Sequence, residues 1–190
     1  GAKVSGSDLK ASEITEDLER AGALISIGHE SKNLRKGTEL VIYSPAVTKD
    51  NPELKFAKKI KIKAQSYPEA LGELTKKYYT IAVAGSHGKS TTTALIGLIL
   101  MKGSLDPTVI VGTKLREFEN KNFRKGESKY LVIEADEWNR SFHHYYPKVA
   151  VITNIDKEHL DTYKNFKGVV LGFEKYLKNL PRGGMIVANF

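Results

Sequence analysis

The chain of 190 residues contains no cysteine. This absence excludes disulfide bonds, thiolate metal ligands and cysteine nucleophiles. Long apolar runs are also absent: the longest, residues 94–101, is interrupted by Gly97 and is far shorter than the ~20 residues that a membrane-spanning helix needs. No signal-peptide pattern opens the sequence. These absences predict a soluble protein that does not contact a membrane, and they fit a cytoplasmic location.

The charge is biased but not concentrated. Thirty lysine and arginine residues against 22 acidic residues give a formal net charge of +8, a sign that nucleic-acid-binding proteins share. The lysines are spread along the chain, and the densest cluster, residues 55–63, lies across a predicted helix end and strand start. Such a run favours a solvated face, and the positive sign also suits a small polyanion such as a nucleotide. We therefore predict no nucleic-acid partner.

The first part of the chain alternates between short apolar strands and amphipathic helices, which is typical of a parallel, Rossmann-like α/β sheet. The predicted strands are 4–7, 23–27, 39–43 and 60–64, and the predicted helices are 12–21, 52–59 and 67–78. Ligands bind such sheets at the carboxyl ends of the strands. Asp8, Ser44 and Ala46 are therefore candidate substrate contacts, with a helix cap as the alternative role for Asp8.

The next strand runs directly into a glycine-rich loop. Residues 81–84 are apolar, and a buried helix, apolar on all sides, is predicted over 94–101. Between them, Lys89 can supply a positive charge for phosphates and the Ser90 hydroxyl can bind Mg²⁺. Val83 stands where the general pattern of a phosphate-binding loop has another glycine. The predicted nucleotide-binding residues are Gly85, Ser86, His87, Gly88, Lys89, Ser90 and Thr91.

Two further buried strands are predicted downstream. Segment 130–134 ends in Glu134, and a carboxylate at such a strand end, beside a phosphate loop, is a hard oxygen ligand suited to Mg²⁺. Ser90 and Glu134 are thus predicted metal ligands. The alternative is that Glu134 and the acids after it only cap the next element. Strand 148–152 leads to His159, although a lone histidine is more often packed or exposed than a ligand.

Three ordered motifs resemble the Mur ligases, the ATP-dependent amide-forming enzymes of peptidoglycan precursor synthesis. The motifs are Gly-Ser-His-Gly-Lys-Ser at 85–90 followed by three threonines, Glu-Ala-Asp-Glu at 134–137 followed by Ser141-Phe142, and Thr-Asn-Ile at 153–155 followed by His159-Leu160-Asp161. Trp138-Asn139 replaces the Ser-Asp commonly seen in the family. Segments 4–8, 43–47 and 51–53 look similar to the family's UDP-binding domain.

The resemblance implies an α/β fold with two domains. Residues 1–79 would form a truncated Rossmann-like domain that binds a UDP-sugar, and residues 80–190 would form part of a parallel-sheet central domain that resembles P-loop NTPases. The family's glycine-rich opening would lie before Gly1, and its adenine-contacting residues and amino-acid-binding domain would lie beyond Phe190. The chain is therefore expected to be an internal fragment.

The resemblance also implies roles for individual residues. Lys89, Glu134 and His159 are implied to be catalytic, and His159 is implied to assist a second Mg²⁺ near the γ-phosphate. Arg124 lies in Asn-Phe-Arg-Lys-Gly at 122–126, which is similar to a family segment near the sugar substrate; an ordinary surface loop or hairpin is the alternative for this region. Asn154 is a further candidate polar contact with substrate.

The implied reaction is that of the family branch that joins L-alanine to UDP-N-acetylmuramate. ATP would phosphorylate the muramoyl carboxylate to an acyl phosphate, and the amine of L-alanine would attack it, releasing phosphate. One alternative is the recycling branch that joins a ready-made peptide to UDP-N-acetylmuramate. Another is a nucleotide-binding fragment without catalytic activity. The sequence indicates neither the general base nor the oligomeric state.

Overall fold

The computed structural model describes residues 2–189, and the chain divides into two compact units, Gly1–Tyr67 and Pro68–Phe190. In both units parallel strands alternate with helices. The predicted α/β class is therefore confirmed. Within the described residues, no helix combines the length and the apolar character needed to cross a membrane.

The first unit contains four strands and two helices. They are β1 (Ser5–Asp8), α1 (Glu13–Arg20), β2 (Leu24–Ile27), β3 (Leu40–Tyr43), α2 (Pro52–Lys59) and β4 (Lys63–Ser66). Strand β1 pairs with β2 and β3 pairs with β4, both in parallel. The parallel direction agrees with the prediction, but the four strands form two separate pairs. Strand β4 begins three residues later than predicted, because helix α2 and the turn at Lys61 (φ 59°) come first.

Side chains at the helix starts explain where α1 and α2 begin. Ser12 accepts a hydrogen bond from the Thr15 amide at 3.3 Å, and the Thr15 hydroxyl accepts one from the Ser12 amide at 2.9 Å. This reciprocal capping box satisfies backbone donors that the helix leaves free. Asn51 caps α2 in a similar way. Because Ser12 is the cap of α1, the alternative role of Asp8 as a helix cap is wrong.

The second unit contains one mixed six-stranded sheet. Its elements are α3 (Tyr67–Lys77, which begins at the last residue of the first unit), β5 (Tyr79–Ala84), α4 (Lys89–Lys102), β6 (Thr108–Leu115), β7 (Lys121–Arg124), β8 (Tyr130–Glu134), β9 (Val149–Ile152), α5 (Leu160–Tyr163), α6 (Phe166–Leu177) and β10 (Met185–Ala188). The strand order is β10-β9-β5-β8-β6-β7. Among the strand pairings of the described residues, β6–β7 alone is antiparallel, which confirms a hairpin in the region around Arg124.

Strand β5 lies between β8 and β9. Its residues Ala82, Val83 and Ala84 have no exposed surface, as expected for a central strand of a covered sheet. Val83 is level with Glu134, and Ala84 is level with Ile152. The three loops that follow these strands therefore leave the sheet at the same edge.

The main core lies where α6 packs against the sheet. The ring of Phe142 stacks on Tyr176 with centroids 4.7 Å apart and meets Phe173 edge-on at 5.1 Å. Val169, Phe173 and Tyr176 of α6 are buried, so this helix packs one face into the core. The prediction that α4 is buried on all sides is wrong, because the side chains of Leu95 and Ile99 are exposed.

Replacing the central ring should destabilise the second unit strongly. We expect Phe142→Ala to lower the free energy of unfolding by about 3–5 kcal/mol, because it removes buried apolar surface and leaves a cavity. Leu171→Ala on the exposed face of α6 is the control and should change it by only about 0.5 kcal/mol. Urea unfolding measures both, and equal losses would contradict the assigned core.

The neighbouring histidine should make the fold acid-sensitive. The His143 ring donates from Nε2 to the Gly172 carbonyl at 2.9 Å, and burial lowers the pKa of His143 below its usual 6.5. As the pH falls through that value, the unfolded chain binds a proton that the folded chain resists, so stability is lost. His143→Gln keeps a donor but does not titrate. We expect the wild type to lose more stability than this variant between about pH 7.5 and pH 5.5.

Candidate functional site

The loop between β5 and α4 follows a path that depends on its two glycines. Gly85 has φ of +140° and Gly88 has φ of +79°, both in the region that side chains disfavour. A Cβ at Gly85 would collide with the hydroxyl of Thr153 and lie 2.9 Å from the Asn154 carbonyl oxygen. Gly88 is the residue that precedes the first turn of α4. The N-terminus of α4, which is the positive end of the helix dipole, therefore lies at the open side of the glycine loop. This arrangement suits an anion.

The loop after β9 holds the glycine loop in place. Asn154 accepts from the His87 amide at 2.9 Å and donates to the His87 carbonyl at 3.0 Å. The Thr153 hydroxyl donates to the same carbonyl at 2.6 Å, and the Ser86 amide donates to the Asn154 carbonyl at 3.1 Å. Asn154 therefore clamps the glycine loop. A direct contact between Asn154 and substrate stays a prediction.

A cavity of about 330 Å³ opens over this loop. It is lined by Ser86, His87, Gly88, Lys89, Ser90, Thr91 and Glu134, so the fold brings Glu134 to six of the seven residues predicted to bind nucleotide. The Glu134 carboxylate accepts from the Gly112 amide at 2.7 Å, and the missing side chain at Gly112 permits this approach. Ser90 and Glu134 offer hard oxygen atoms to one cavity, a donor set that fits Mg²⁺.

Lys89 connects the cavity to a second cluster. Its ammonium group donates to the carbonyls of Gly85 at 2.7 Å and Ser86 at 3.3 Å. It also lies 3.2 Å and 3.0 Å from the two carboxylate oxygens of Glu137. The side chain of Lys89 is 13% exposed and that of Glu137 only 1%. This ion pair is therefore largely shielded from water.

The second cluster contains His159. Asp136, Glu137 and His159 each offer a ligand atom within 4.8 Å of the other two, and His159 Nε2 lies 3.6 Å from Glu137 Oε1. The structure thus places His159 beside Glu137, while Ser90 and Glu134 line the cavity. The predicted ligand set of Ser90, Glu134 and His159 stays a prediction.

Sequence reasoning missed the position of Glu137. The rule that an acid at a strand end faces the phosphates selects Glu134 and says nothing about the next turn. Burial and the charge of Glu137 raise the pKa of Tyr163, so its hydroxyl remains a donor and bonds the Glu137 carbonyl at 2.7 Å. The one available signal was the third acid of the Glu-Ala-Asp-Glu motif, at its fourth position.

Arg124 lies on β7, which is the outermost strand of the sheet. Its guanidinium donates to Asp106 at 2.6 Å and to the Pro107 carbonyl at 2.7 Å. A hydrogen bond from the Glu127 amide, together with Arg124, lowers the pKa of Asp106. Arg124 thus joins the β6–β7 hairpin to the turn before β6, and its contact with substrate stays a prediction.

In the first unit, the candidate substrate contacts lie at the carboxyl ends of strands as expected: Asp8 is the last residue of β1, and Ser44 and Ala46 follow β3. Asp8 is exposed and accepts from the Lys10 amide at 3.2 Å, and Ser44 accepts from the Ala46 amide at 3.3 Å. Ser44 also lines a cavity of about 170 Å³ in this unit. The roles of Asp8, Ser44 and Ala46 stay predictions.

Sequence reasoning missed a polar network in the same unit. Ser7 donates to Glu53 at 2.9 Å and lies 3.0 Å from Nδ1 of His29, while Asn33 donates to Glu53 at 2.8 Å. These residues come from three separate segments, β1, the connection between β2 and β3, and the start of α2, so no local spacing could reveal the network. Glu53 ties those segments together at the start of α2.

The fold and the site define the class: an α/β protein with a phosphate-binding loop. Its features are a central parallel strand, a glycine loop, a lysine that follows this loop and an acid at a strand end. The particular family follows from two sequence matches. The model described as "Mur ligase family, catalytic domain" matches residues 1–79, and "Mur ligase middle domain" matches residues 83–190. The chain belongs to the Mur ligase family. The predicted domain boundary after residue 79 stays a prediction.

Individual relatives are consistent with this assignment. The chain is 47% identical over 189 residues to UDP-N-acetylmuramate--L-alanine ligase of Aquifex aeolicus, covering 100% of this chain and 41% of that protein. The crystal structure of UDP-N-acetylmuramate-alanine ligase MurC from Thermotoga maritima is 30% identical with a TM-score of 0.83, covering 97% of this chain and 43% of that one. The chain spans about 40% of the length of the curated relatives it matches.

A third comparison concerns the fold alone. A UDP-N-acetylmuramate:L-alanyl-gamma-D-glutamyl-meso-diaminopimelate ligase from Neisseria meningitides has a TM-score of 0.87 at 24% identity, covering 98% of this chain and 63% of that one. Both ligases therefore share the architecture seen here. Architecture does not separate an amino-acid substrate from a peptide substrate.

The close approach at Gly85 predicts a position-specific loss of stability. Gly85→Ala should lower the free energy of unfolding by about 2–4 kcal/mol, because backbone strain adds to overpacking against Thr153 and Asn154. Gly183 also has positive φ (+81°), but a Cβ there would meet nothing within 4 Å. Gly183→Ala should therefore cost only about 1 kcal/mol. Denaturant unfolding that gives equal losses would contradict the proposed contact.

Proposed function

We propose that the protein to which this chain belongs is an ATP-dependent ligase that joins L-alanine to UDP-N-acetylmuramate in peptidoglycan precursor synthesis. The γ-phosphoryl group of ATP is transferred to the muramoyl carboxylate, which gives an acyl phosphate and ADP. The amine of L-alanine then attacks the acyl carbon, and phosphate leaves as the amide forms. The reaction serves cell wall biogenesis.

The observation that carries this proposal is the convergence of three loops at one edge of the sheet. The glycine loop contributes Lys89, the end of β8 contributes Glu134, and the loop after β9 contributes Asn154 and His159. Transfer of a phosphoryl group depends on positioning and on neutralising charge on the phosphate oxygens. A lysine, a helix N-terminus and hard oxygen ligands around one cavity supply both requirements.

The residues divide the work by their chemistry. Lys89 neutralises phosphate charge, and the backbone amides of residues 85–91 orient the phosphates. Ser90 and Glu134 would hold Mg²⁺. When bound, this ion would neutralise negative charge on the phosphate oxygens. Asn154 keeps the glycine loop in its phosphate-binding form through its two hydrogen bonds to His87. His159 would act beside Glu137, the residue whose carboxylate pairs with the ammonium group of Lys89.

The choice of L-alanine as the amine follows the names of the relatives from Aquifex aeolicus and Thermotoga maritima. UDP-N-acetylmuramate recognition is assigned to the first unit, with Asp8, Ser44 and Ala46 as its candidate contacts. Arg124 is the candidate contact in the second unit. We propose a cytoplasmic location, where ATP is available.

The direct test is ligase activity of the full-length protein. We expect release of ADP when ATP, UDP-N-acetylmuramate and L-alanine are all present, and little release when a tripeptide replaces L-alanine. Mass spectrometry of the product identifies the new amide. Turnover with the tripeptide but not with L-alanine would assign the protein to the peptide-adding branch instead.

Removing the lysine should disable the site. Lys89→Ala deletes one or two charge-assisted contacts of about 1.5–3 kcal/mol each, so turnover should fall at least about tenfold. Lys102→Ala is the matched control, since Lys102 lies at the exposed end of the same helix. The control should keep near-normal ADP release. Near-normal turnover by Lys89→Ala would refute the role of Lys89.

A further inference from the structure

Glu137 is an acidic residue in the protein interior, where charged side chains are uncommon. Its side chain is 1% exposed and is among the largest fully buried side chains of the described residues. Burying a carboxylate is costly unless it is paired. Two basic groups meet it here: the Lys89 ammonium at 3.0 Å and 3.2 Å, and His159 Nε2 at 3.6 Å.

We propose that Glu137 is a positioning residue for the phosphoryl-transfer site, holding Lys89 and His159 in one fixed arrangement through its carboxylate. This inference rests on the proposed ligase function. Glu137 is not assigned contact with the nucleotide or the substrates. It acts through the two side chains that it holds.

The contacts of Lys89 explain why Glu137 has this role. An ammonium group has three donors, and the recorded acceptors are the carbonyls of Gly85 and Ser86 and the Glu137 carboxylate. The two carbonyls belong to the glycine loop itself. Glu137 is therefore the contact in this set that ties Lys89 to a different segment, the turn after β8.

The contact between Glu137 and Lys89 is a close ion pair in which one of the two carboxylate oxygens accepts a hydrogen bond. Oε1 of Glu137 accepts a hydrogen bond from Nζ at 3.2 Å. Oε2 lies closer to Nζ, at 3.0 Å, yet it accepts no hydrogen bond from any of residues 2–189. Coulomb attraction depends on distance rather than on bond angle, so Lys89 would stay paired with Glu137 if one of its donors turned from a carbonyl to a phosphate.

The backbone around Glu137 is itself firmly held. Its carbonyl accepts from the Tyr163 hydroxyl at 2.7 Å and from the Arg140 amide at 3.0 Å. Two and three residues further on, Asn139 and Arg140 have φ of 49° and 59°, which are strained values for residues with side chains. The Phe142 amide also donates to the Asp136 carbonyl at 2.9 Å, so the turn is hydrogen-bonded on both sides of the Glu137 side chain, as a positioning residue requires.

The test is a double-mutant cycle in the full-length ligase. We expect Glu137→Gln, which keeps the shape and removes the charge, to lower kcat at least tenfold while KM for ATP changes less than about threefold, because positioning acts in the transition state. In a Lys89→Ala background the same substitution should lower kcat by a smaller factor, because only the contact with His159 is then left to lose. Coupling of this kind is expected only if Glu137 acts through Lys89.

Controls separate this role from general stability. Glu174→Gln removes an exposed acid from α6 and should leave kcat unchanged, and thermal unfolding should show that Glu137→Gln is folded. If Glu137→Gln does not fold, Glu137→Asp replaces it in the same cycle. Additive effects of the Lys89 and Glu137 substitutions, or a wild-type kcat in the Glu137 variant, overturn the proposal.

Failure of the proposed function would be recognised separately. It appears as a wild-type protein that releases no ADP with any amine. In that case crystal structures of the wild type and Glu137→Gln decide the inference, since Lys89 and His159 should both leave their present positions in the variant. Unchanged positions of both side chains overturn it.

Discussion

The candidate site depends on the parallel pairing of β5 with β8 on one side and β9 on the other. Because all three strands run the same way, their carboxyl ends lie at one edge, with Val83 level with Glu134 and Ala84 level with Ile152. Residues that are 51 and 68 positions apart in the chain thus become neighbours. An antiparallel β8 or β9 would send its loop to the opposite edge and leave the glycine loop without partners.

Loops at this edge are positioned by other loops. The glycine loop is fixed by Thr153 and Asn154 from the loop after β9, and Lys89 is fixed by Glu137 from the turn after β8. A phosphate site needs backbone amides that are aligned before the anion arrives, because alignment at the moment of reaction would cost free energy. Here the alignment comes from hydrogen bonds between segments, so the loops form one connected unit.

Much of this arrangement could be predicted locally. The helix at Pro52–Lys59 was predicted with its observed bounds, because proline at the first turn and a change in apolar spacing are short-range signals. The phosphate loop was also visible, since the glycines, lysine and serine that it needs are contiguous. Predictions of side-chain burial were less accurate, because burial depends on which elements pack around a residue. Leu95 and Ile99 look like core residues by composition, yet they remain 54% and 67% exposed.

The sequence by itself determined the alternation of strands and helices, the glycine loop and the acids and histidine that follow later strands, since each of these is encoded within a few consecutive residues. Only the tertiary structure decided which acid meets which base. Glu134 and Glu137 are three residues apart, but the turn between them directs one to the cavity with Ser90 and buries the other against Lys89 and His159. Pairing across the sheet and burial of charge depend on distances in space, and a linear pattern does not contain those distances.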